Sequence, residues 1–228
     1  MEGFEYVKAN YQGLIDEIGA LGKTAGRDIT LVAVTKSGSD EELIALAKAG
    51  VCHIGENRPG ELRRRGDLLH SEGYNPTLHE IGNLQRNKVK LIIECVDLIH
   101  SLDNLPLAEE IDKQAKKCGR IVPVLIEINS GREEQKGGVL PEEAEAFICE
   151  LKKFSNIRVS GLMTMGPVVE DAEQLRPYFR ETKTLFDRLN RTHGFDGGIL
   201  SMGMSDSYAV AIEEGATLVR VGRKLFNR

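Results

Sequence analysis

The chain has 228 residues, 41% hydrophobic and 29% charged, with aromatic residues at only 5% and no tryptophan. That composition belongs to a folded globular protein rather than a disordered one, and the length suits one large α/β domain. Lys and Arg number 30 against 35 Asp and Glu, so the net charge of −5 is too mild and of the wrong sign for neutralising many phosphates, and nucleic acid is not an expected partner.

The start Met1-Glu2-Gly3-Phe4-Glu5 lacks the basic and apolar stretches of a secretion signal. No uncharged run approaches the roughly 18 residues of a membrane span, so a cytoplasmic protein with no membrane partner is expected. Residues Glu2–Leu21 carry Phe4, Val7, Tyr11, Leu14, Ile15 and Ile18 at helical spacing, which predicts an extra amphipathic helix ahead of the first strand, placed to cap the bottom of the domain. Eight strands are predicted after it, at Thr30–Lys36, Val51–Gly55, Leu78–Gly82, Leu98–Leu102, Val122–Asn129, Arg158–Thr164, Gly198–Met202 and Thr217–Gly222. The first and fifth are almost continuously apolar, as strands covered on both faces should be. Helical spacing fills the intervals at Asp40–Ala49, Glu61–Leu69, Leu84–Glu94, Leu105–Lys117, Pro141–Phe154, Glu173–Arg191 and Ser205–Glu214. Pro141 before Glu142-Glu143 reads as a helix start, with the proline at the first position and acids near the positive dipole end.

Strands alternating with helices imply βα units around a parallel sheet. After the first strand the sequence is Thr35-Lys36-Ser37-Gly38-Ser39-Asp40, without the glycine fingerprint of an open dinucleotide-binding sheet, so a closed (β/α)8 TIM barrel is the expected fold. No Pro/Gly/Ser-rich linker interrupts the chain and the last predicted strand ends six residues before Arg228, which leads us to expect a single domain over 1–228. Cys52, Cys95, Cys118 and Cys149 form no C-x-x-C pair and are expected as buried thiols, with no metal site. The run Arg63-Arg64-Arg65, flanked by Glu61 and Asp67, reads as a solvated helix face.

Barrel active sites lie at the C-terminal ends of the strands. Lys36 ends an apolar strand there, either as a reactive amine or as a side chain that simply reaches solvent. The segments Leu200-Ser201-Met202-Gly203-Met204-Ser205-Asp206 and Val219-Arg220-Val221-Gly222-Arg223 offer hydroxyls, glycines and a helix start at Ser205-Asp206 in the loops where barrels usually bind phosphate. A phosphate site joined to a reactive lysine points to pyridoxal 5′-phosphate. Arg220 and Gly222 should face the same way along a regular strand, and an interior arginine needs an acceptor, either a pyridine nitrogen or a carboxylate such as Glu127.

Six ordered blocks carry a family resemblance: Leu31 to Lys36, Ile54-Gly55-Glu56-Asn57-Arg58, His79 to Lys88, Gly161-Leu162-Met163-Thr164-Met165, Leu200 to Asp206, and Glu213 to Gly222. Through them the chain resembles the pyridoxal-phosphate homeostasis protein family, whose fold is like the N-terminal barrel of alanine racemase. The resemblance implies that Lys36 holds the cofactor as a Schiff base, that Ser201 and the amides around Gly222 and Arg223 hold its phosphate, that Arg220 meets the pyridine nitrogen, and that Asn57 and Met202 surround the ring. Met202 is also a natural core filler and Asn57 a natural helix cap. The chain departs from the family pattern at Leu78, where many members have tryptophan, at Asn83, where histidine is usual, and at Arg223, where threonine is usual.

The resemblance also implies a carrier that binds, stores or delivers the cofactor within the cell, acting as a monomer and touching the apo-enzymes that use the cofactor only transiently. The alternatives are an amino-acid racemase lacking a second domain, and a barrel for another phosphorylated metabolite. Racemisation needs a second acid opposite Lys36, and none of Tyr6, Tyr11, Tyr74, Tyr178 or Tyr208 stands in a motif that places it there, so no catalytic residue is assigned. Tyr208 comes nearest, but reads as a packed helix residue, and His79 is expected to play a structural hydrogen-bonding role.

Overall fold

The protein is described by a computed structural model covering residues 3–227. Eight parallel strands close a barrel in sequence order: β1 (Thr30–Val34), β2 (His53–Glu56), β3 (Thr77–Glu80), β4 (Leu98–Leu102), β5 (Val122–Glu127), β6 (Ile157–Met163), β7 (Ile199–Ser201) and β8 (Leu218–Val221). The helices around it are α1 (Glu5–Ala25), α2 (Asp40–Lys48), α3 (Pro59–Ser71), α4 (Val89–Ile92), α5 (Leu105–Lys117), α6 (Ala144–Leu151), α7 (Arg176–His193), α8 (Tyr208–Glu213) and α9 (Arg223–Phe226).

All eight expected strands form, most of them shorter than predicted. The strand alternation puts Val32, Leu98, Leu125, Met163 and Leu218 inside the barrel, while their neighbours such as Ala33, Ile99, Val124, Leu162 and Val219 face the helices in the larger core. At Gly161 the β6 backbone comes so near β7 that an added Cβ would sit 1.8 Å from the Ile199 carbonyl oxygen, at a φ of +154° that favours glycine. Among the described residues, no helix is long and apolar enough to cross a membrane.

Several expectations need correction. The N-terminal helix runs to Ala25, and Glu2 lies outside the described residues; its stripe of Val7, Leu14 and Ile18 packs on the outer ring against α2, α8 and α9 rather than across the barrel bottom. Pro141 belongs to a turn, and α6 begins at Ala144 because the Glu143 amide bonds back to Leu140. The long helix expected over Leu84–Glu94 is a 3₁₀ turn at Arg86–Lys88 followed by the four-residue α4. Likewise α8 starts at Tyr208, not Ser205, after a turn in which the Met204 carbonyl accepts from the Ser207 amide. The cysteines are free but not buried: Cys52, Cys118 and Cys149 are exposed and Cys95 is half-buried, since they occupy a strand entry, a helix end and outer helix surfaces.

Candidate cofactor site

Register brings the singled-out residues to one end of the barrel. Ala33 pairs with Val221 and Val34 with Gly55, so Lys36, Gly222 and Asn57 all emerge from adjacent strands on the same rim. A Cβ on Gly222 would lie 3.0 Å from the Val34 carbonyl oxygen, which shows how tightly the exits of β1 and β8 are pressed together.

Lys36 is exposed, at the crest of a turn closed by the Gly38 amide donating to the Thr35 carbonyl at 2.9 Å. The turn is held from every side. Thr35 Oγ1 donates to the buried Glu56 carboxylate at 2.5 Å, and Arg65 donates to the carbonyls of Thr35 at 2.5 Å and Gly38 at 2.8 Å while lying 3.2 Å from Glu56. Ser39 then starts α2 through a reciprocal capping box with Glu42. Gly38 itself is covered by the Phe226 ring, 2.7 Å from where a Cβ would stand. Arg65 is therefore not on a solvated face: of the basic run only Arg64 is exposed, paired with Asp40, whereas Arg65 is 6% exposed and anchors the lysine turn. Leu62, Arg65 and Leu69 share the buried side of α3, a spacing that marks Arg65 as inward.

On β8, Arg220 is 4% exposed and points inward with Leu218. Its guanidinium donates to Ser201 Oγ at 2.5 Å and to the Thr164 carbonyl at 3.2 Å. The alternative ion pair with Glu127 is not formed among the described residues, although the two groups feel each other. Burial lowers Arg220 to about 10, with Glu127 partly restoring it. Burial, helped by Asp103 and opposed by Arg220, raises Glu127 to about 7. Ser201 is fully buried and its hydroxyl is engaged by Arg220 and His100, whereas Ser205 Oγ accepts from the Gly222 amide at 3.3 Å. Ser205, read from sequence as part of a helix start, is thus the hydroxyl that stands at the Gly222 loop.

The remaining candidates separate. Asn57 is exposed on the rim, and it does not cap α3, whose N-cap is Arg58 without a side-chain bond. Met202 is fully buried in the core between barrel and helices, so its gap-filling reading is the one the packing favours. Arg223 is mostly exposed and pairs with Asp206 across the two loops. Tyr208 is buried with its hydroxyl accepting from Lys224 at 2.7 Å, and burial together with Glu17 pushes its pKa up.

Sequence reasoning passed over two buried acids on this rim, Glu56 and Glu80, which end β2 and β3. Glu80 is fully buried; Oε1 accepts from the Gly82 amide at 3.1 Å and Oε2 has no partner. Burial raises its pKa to about 8. The histidines behave in the opposite sense, burial lowering His79 to about 3 and His100 well below its ordinary value. Stability tied to Glu80 is complete below its unfolded pKa near 4.5 and lost as pH rises through about 8; that tied to His79 is complete above 6.5 and lost as pH falls through about 3. The cofactor-free protein should therefore be most stable to heat between about pH 5 and 6.5, with a decline by pH 8 to which Glu80 contributes on the order of 2 kcal/mol and which shrinks in Glu80→Gln, the remainder coming from Glu127 as pH passes about 7. An unchanged alkaline decline in that variant would assign it to other groups.

The family model for the alanine racemase N-terminal domain matches residues 10–227. A protein of Aquifex aeolicus named pyridoxal phosphate homeostasis protein is 43% identical over 196 residues, 86% of this chain and 85% of its own, and one of the same name from Deinococcus radiodurans is 36% identical over 221 residues, 96% and 99% of the two chains. The chain belongs to the pyridoxal phosphate homeostasis protein family. Among solved structures, PipY of Synechococcus elongatus with pyridoxal phosphate bound has a TM-score of 0.84 and 28% identity, covering 97% of this chain and all of its own. An alanine racemase of Clostridium difficile, at 21% identity and a TM-score of 0.76, shares the fold over 60% of its length. The closed barrel at whose rim Lys36 stands is thus common to this chain and its family relative of known structure.

Proposed function

We propose that this chain binds pyridoxal 5′-phosphate as a Schiff base on Lys36 and serves the intracellular homeostasis of that cofactor by binding, storing or delivering it. The observation that carries this reading is the exposed Lys36 on an anchored turn, one strand away from the Gly222 amide and Ser205 hydroxyl, with the Arg220 guanidinium deeper on the same strand. The group fits these residues. An amine without an ion pair among the described residues can reach an aldehyde, the Gly222–Ser205 loop offers an amide and a hydroxyl at a place where a side chain would collide, and Arg220 brings a fixed donor to a ring nitrogen. When bound, the cofactor supplies an electrophilic aldehyde and an electron-accepting ring.

Lys36 binds, Ser205 and Gly222 orient the phosphate, and Arg220, which stays charged at neutral pH, holds the ring nitrogen without giving it a proton. We assign Ser201 to Arg220 rather than to phosphate, Asn57 to the rim of the site, and Arg223 to its Asp206 partner. The domain is 1–228 as one unit, acting in the cytoplasm as a monomer that meets apo-enzymes transiently.

A second reading, a racemase, would use Tyr208 as the acid opposite Lys36. Its hydroxyl is occupied by Lys224, and its raised pKa suits neither proton donation nor uptake near neutrality. The test is direct. The purified protein mixed with cofactor should absorb in the visible, lose that absorbance with hydroxylamine, and after borohydride reduction carry the label on the peptide containing Lys36. Label elsewhere, or enantiomer exchange of alanine at roughly 1 s⁻¹ that depends on Lys36, would overturn the assignment or the carrier role respectively.

A further inference from the structure

Barrel interiors are usually filled by layers of branched apolar side chains. Here three histidines from the adjacent strands β2, β3 and β4 join the interior side chains Val32, Leu98, Leu125, Met163 and Leu218. His53 Nδ1 lies 3.0 Å from His79 Nε2, His79 Nδ1 lies 2.9 Å from His100 Nε2, and His100 Nδ1 lies 3.1 Å from Ser201 Oγ, which in turn accepts from Arg220 at 2.5 Å. His79 and His100 are 2% and 0% exposed. His53 is half-buried and opens onto a cavity of about 510 Å³ at the strand entries, whose charged groups are Asp28, Asp97, Asp196 and Arg158. The run thus spans the barrel from its floor to the arginine below the rim.

Proton counting gives the run a direction. Arg220 can only donate, so Ser201 receives from it, and the one proton of Ser201 has His100 Nδ1 as its acceptor. His100, neutral in its buried position, then carries its proton on Nε2 and donates to His79 Nδ1. His79 does the same to His53 Nδ1, leaving the last proton on His53 Nε2. Each interior ring uses both nitrogens, and no ring can turn over without breaking two bonds. No group of three or more His, Cys, Asp or Glu among the described residues is disposed to hold a metal, so ligation does not account for the cluster.

We propose that His53, His79 and His100 form a one-directional hydrogen-bond relay that fixes Ser201 and, through it, positions the Arg220 guanidinium for its ligand. His79 and His100 are then positioning residues, acting on a ring nitrogen only through Arg220; that last link rests on the function proposed above, while the relay itself does not.

The relay is tested on the cofactor-free protein with ¹⁵N-labelled histidine. Nuclear magnetic resonance should show His79 and His100 as neutral rings with the proton on Nε2. In Ser201→Ala the run loses the donor that sets its direction, so the tautomer populations of His53, three links away, should shift; in His79→Phe the same serine change should leave His53 unmoved. A His53 signal unaffected by Ser201→Ala, or Nδ1 protonation at His100 in the unaltered chain, would refute the relay. The positioning role is read separately, from cofactor binding by His79→Phe: the dissociation constant should rise about tenfold, with a displaced visible band, the loss of roughly one hydrogen bond to a charged group. Unchanged affinity and band in a folded His79→Phe would refute positioning. If the unaltered chain binds no cofactor at all, the proposed function fails and the magnetic resonance result still decides the relay.

Discussion

Arg65→Ala should destabilise the protein by about 3–5 kcal/mol, the usual cost of removing one partner from a buried ion pair. Three bonds go at once. The Gly38 carbonyl loses its Arg65 donor, the Thr35 carbonyl is left with the Gly38 amide alone, and Glu56, 1% exposed, keeps only the Thr35 hydroxyl. Burial already raises the pKa of Glu56 and Arg65 is among the groups that hold it down, so without Arg65 its carboxylate should take up a proton more readily, recovering part of the loss as pH falls. The deficit should therefore be largest in alkaline buffer. Arg65→Lys restores a charge without the forked geometry that spans two carbonyls, and should recover less than half. Denaturant unfolding at two pH values reads all of this. A loss under 1 kcal/mol at both would mean that the lysine turn holds itself.

Lys36→Ala should do the reverse, leaving stability within about 0.5 kcal/mol while lowering cofactor affinity roughly a hundredfold or more. The side chain is exposed and the turn's bonds run through backbone atoms of Thr35 and Gly38, so the fold does not depend on it. What should disappear is the covalent bond proposed above, and with it the visible band and retention of cofactor through gel filtration. The residual affinity should still prefer phosphorylated over unphosphorylated pyridoxal, because the loop of Ser205 and Gly222 is untouched. A visible band that survives in Lys36→Ala would move the attachment to another lysine. Lys136, in the loop Gln135-Lys136-Gly137-Gly138, is tied to Glu133 at 2.6 Å and is the less available amine.

Much of the fold was legible in the sequence because barrel strands are local signals. Leu31 to Val34 and Val122 to Ile126 announce themselves by composition, and the strand ends locate Lys36, Arg220 and Gly222 without any knowledge of contacts. The part that could not be read depends on closure. His53, His79 and His100 look unrelated until β2, β3 and β4 are in register, and Ser201 cannot be separated from Ser205 until β8 shows which of them faces Arg220. Arg65 was hidden for another reason: the two arginines beside it reach water, and charge alone does not say which member of a run turns inward. Short helices misled as well, since four residues of α4 and six of α8 owe their extent to turns that propensity does not encode.

The pairing of Thr30 with Leu218, and the ring of Phe226 over Gly38, carry a consequence for biosynthesis. The first strand emerges from the ribosome long before the strand that completes it, and loop closure over such a separation comes late in folding. Until β8 docks and α9 follows it, the Lys36 turn lacks its Phe226 cover and Ser205 lacks the Gly222 amide. On the function proposed above, an unfinished chain would expose Lys36 as an ordinary surface amine, and capture of the cofactor would report finished synthesis.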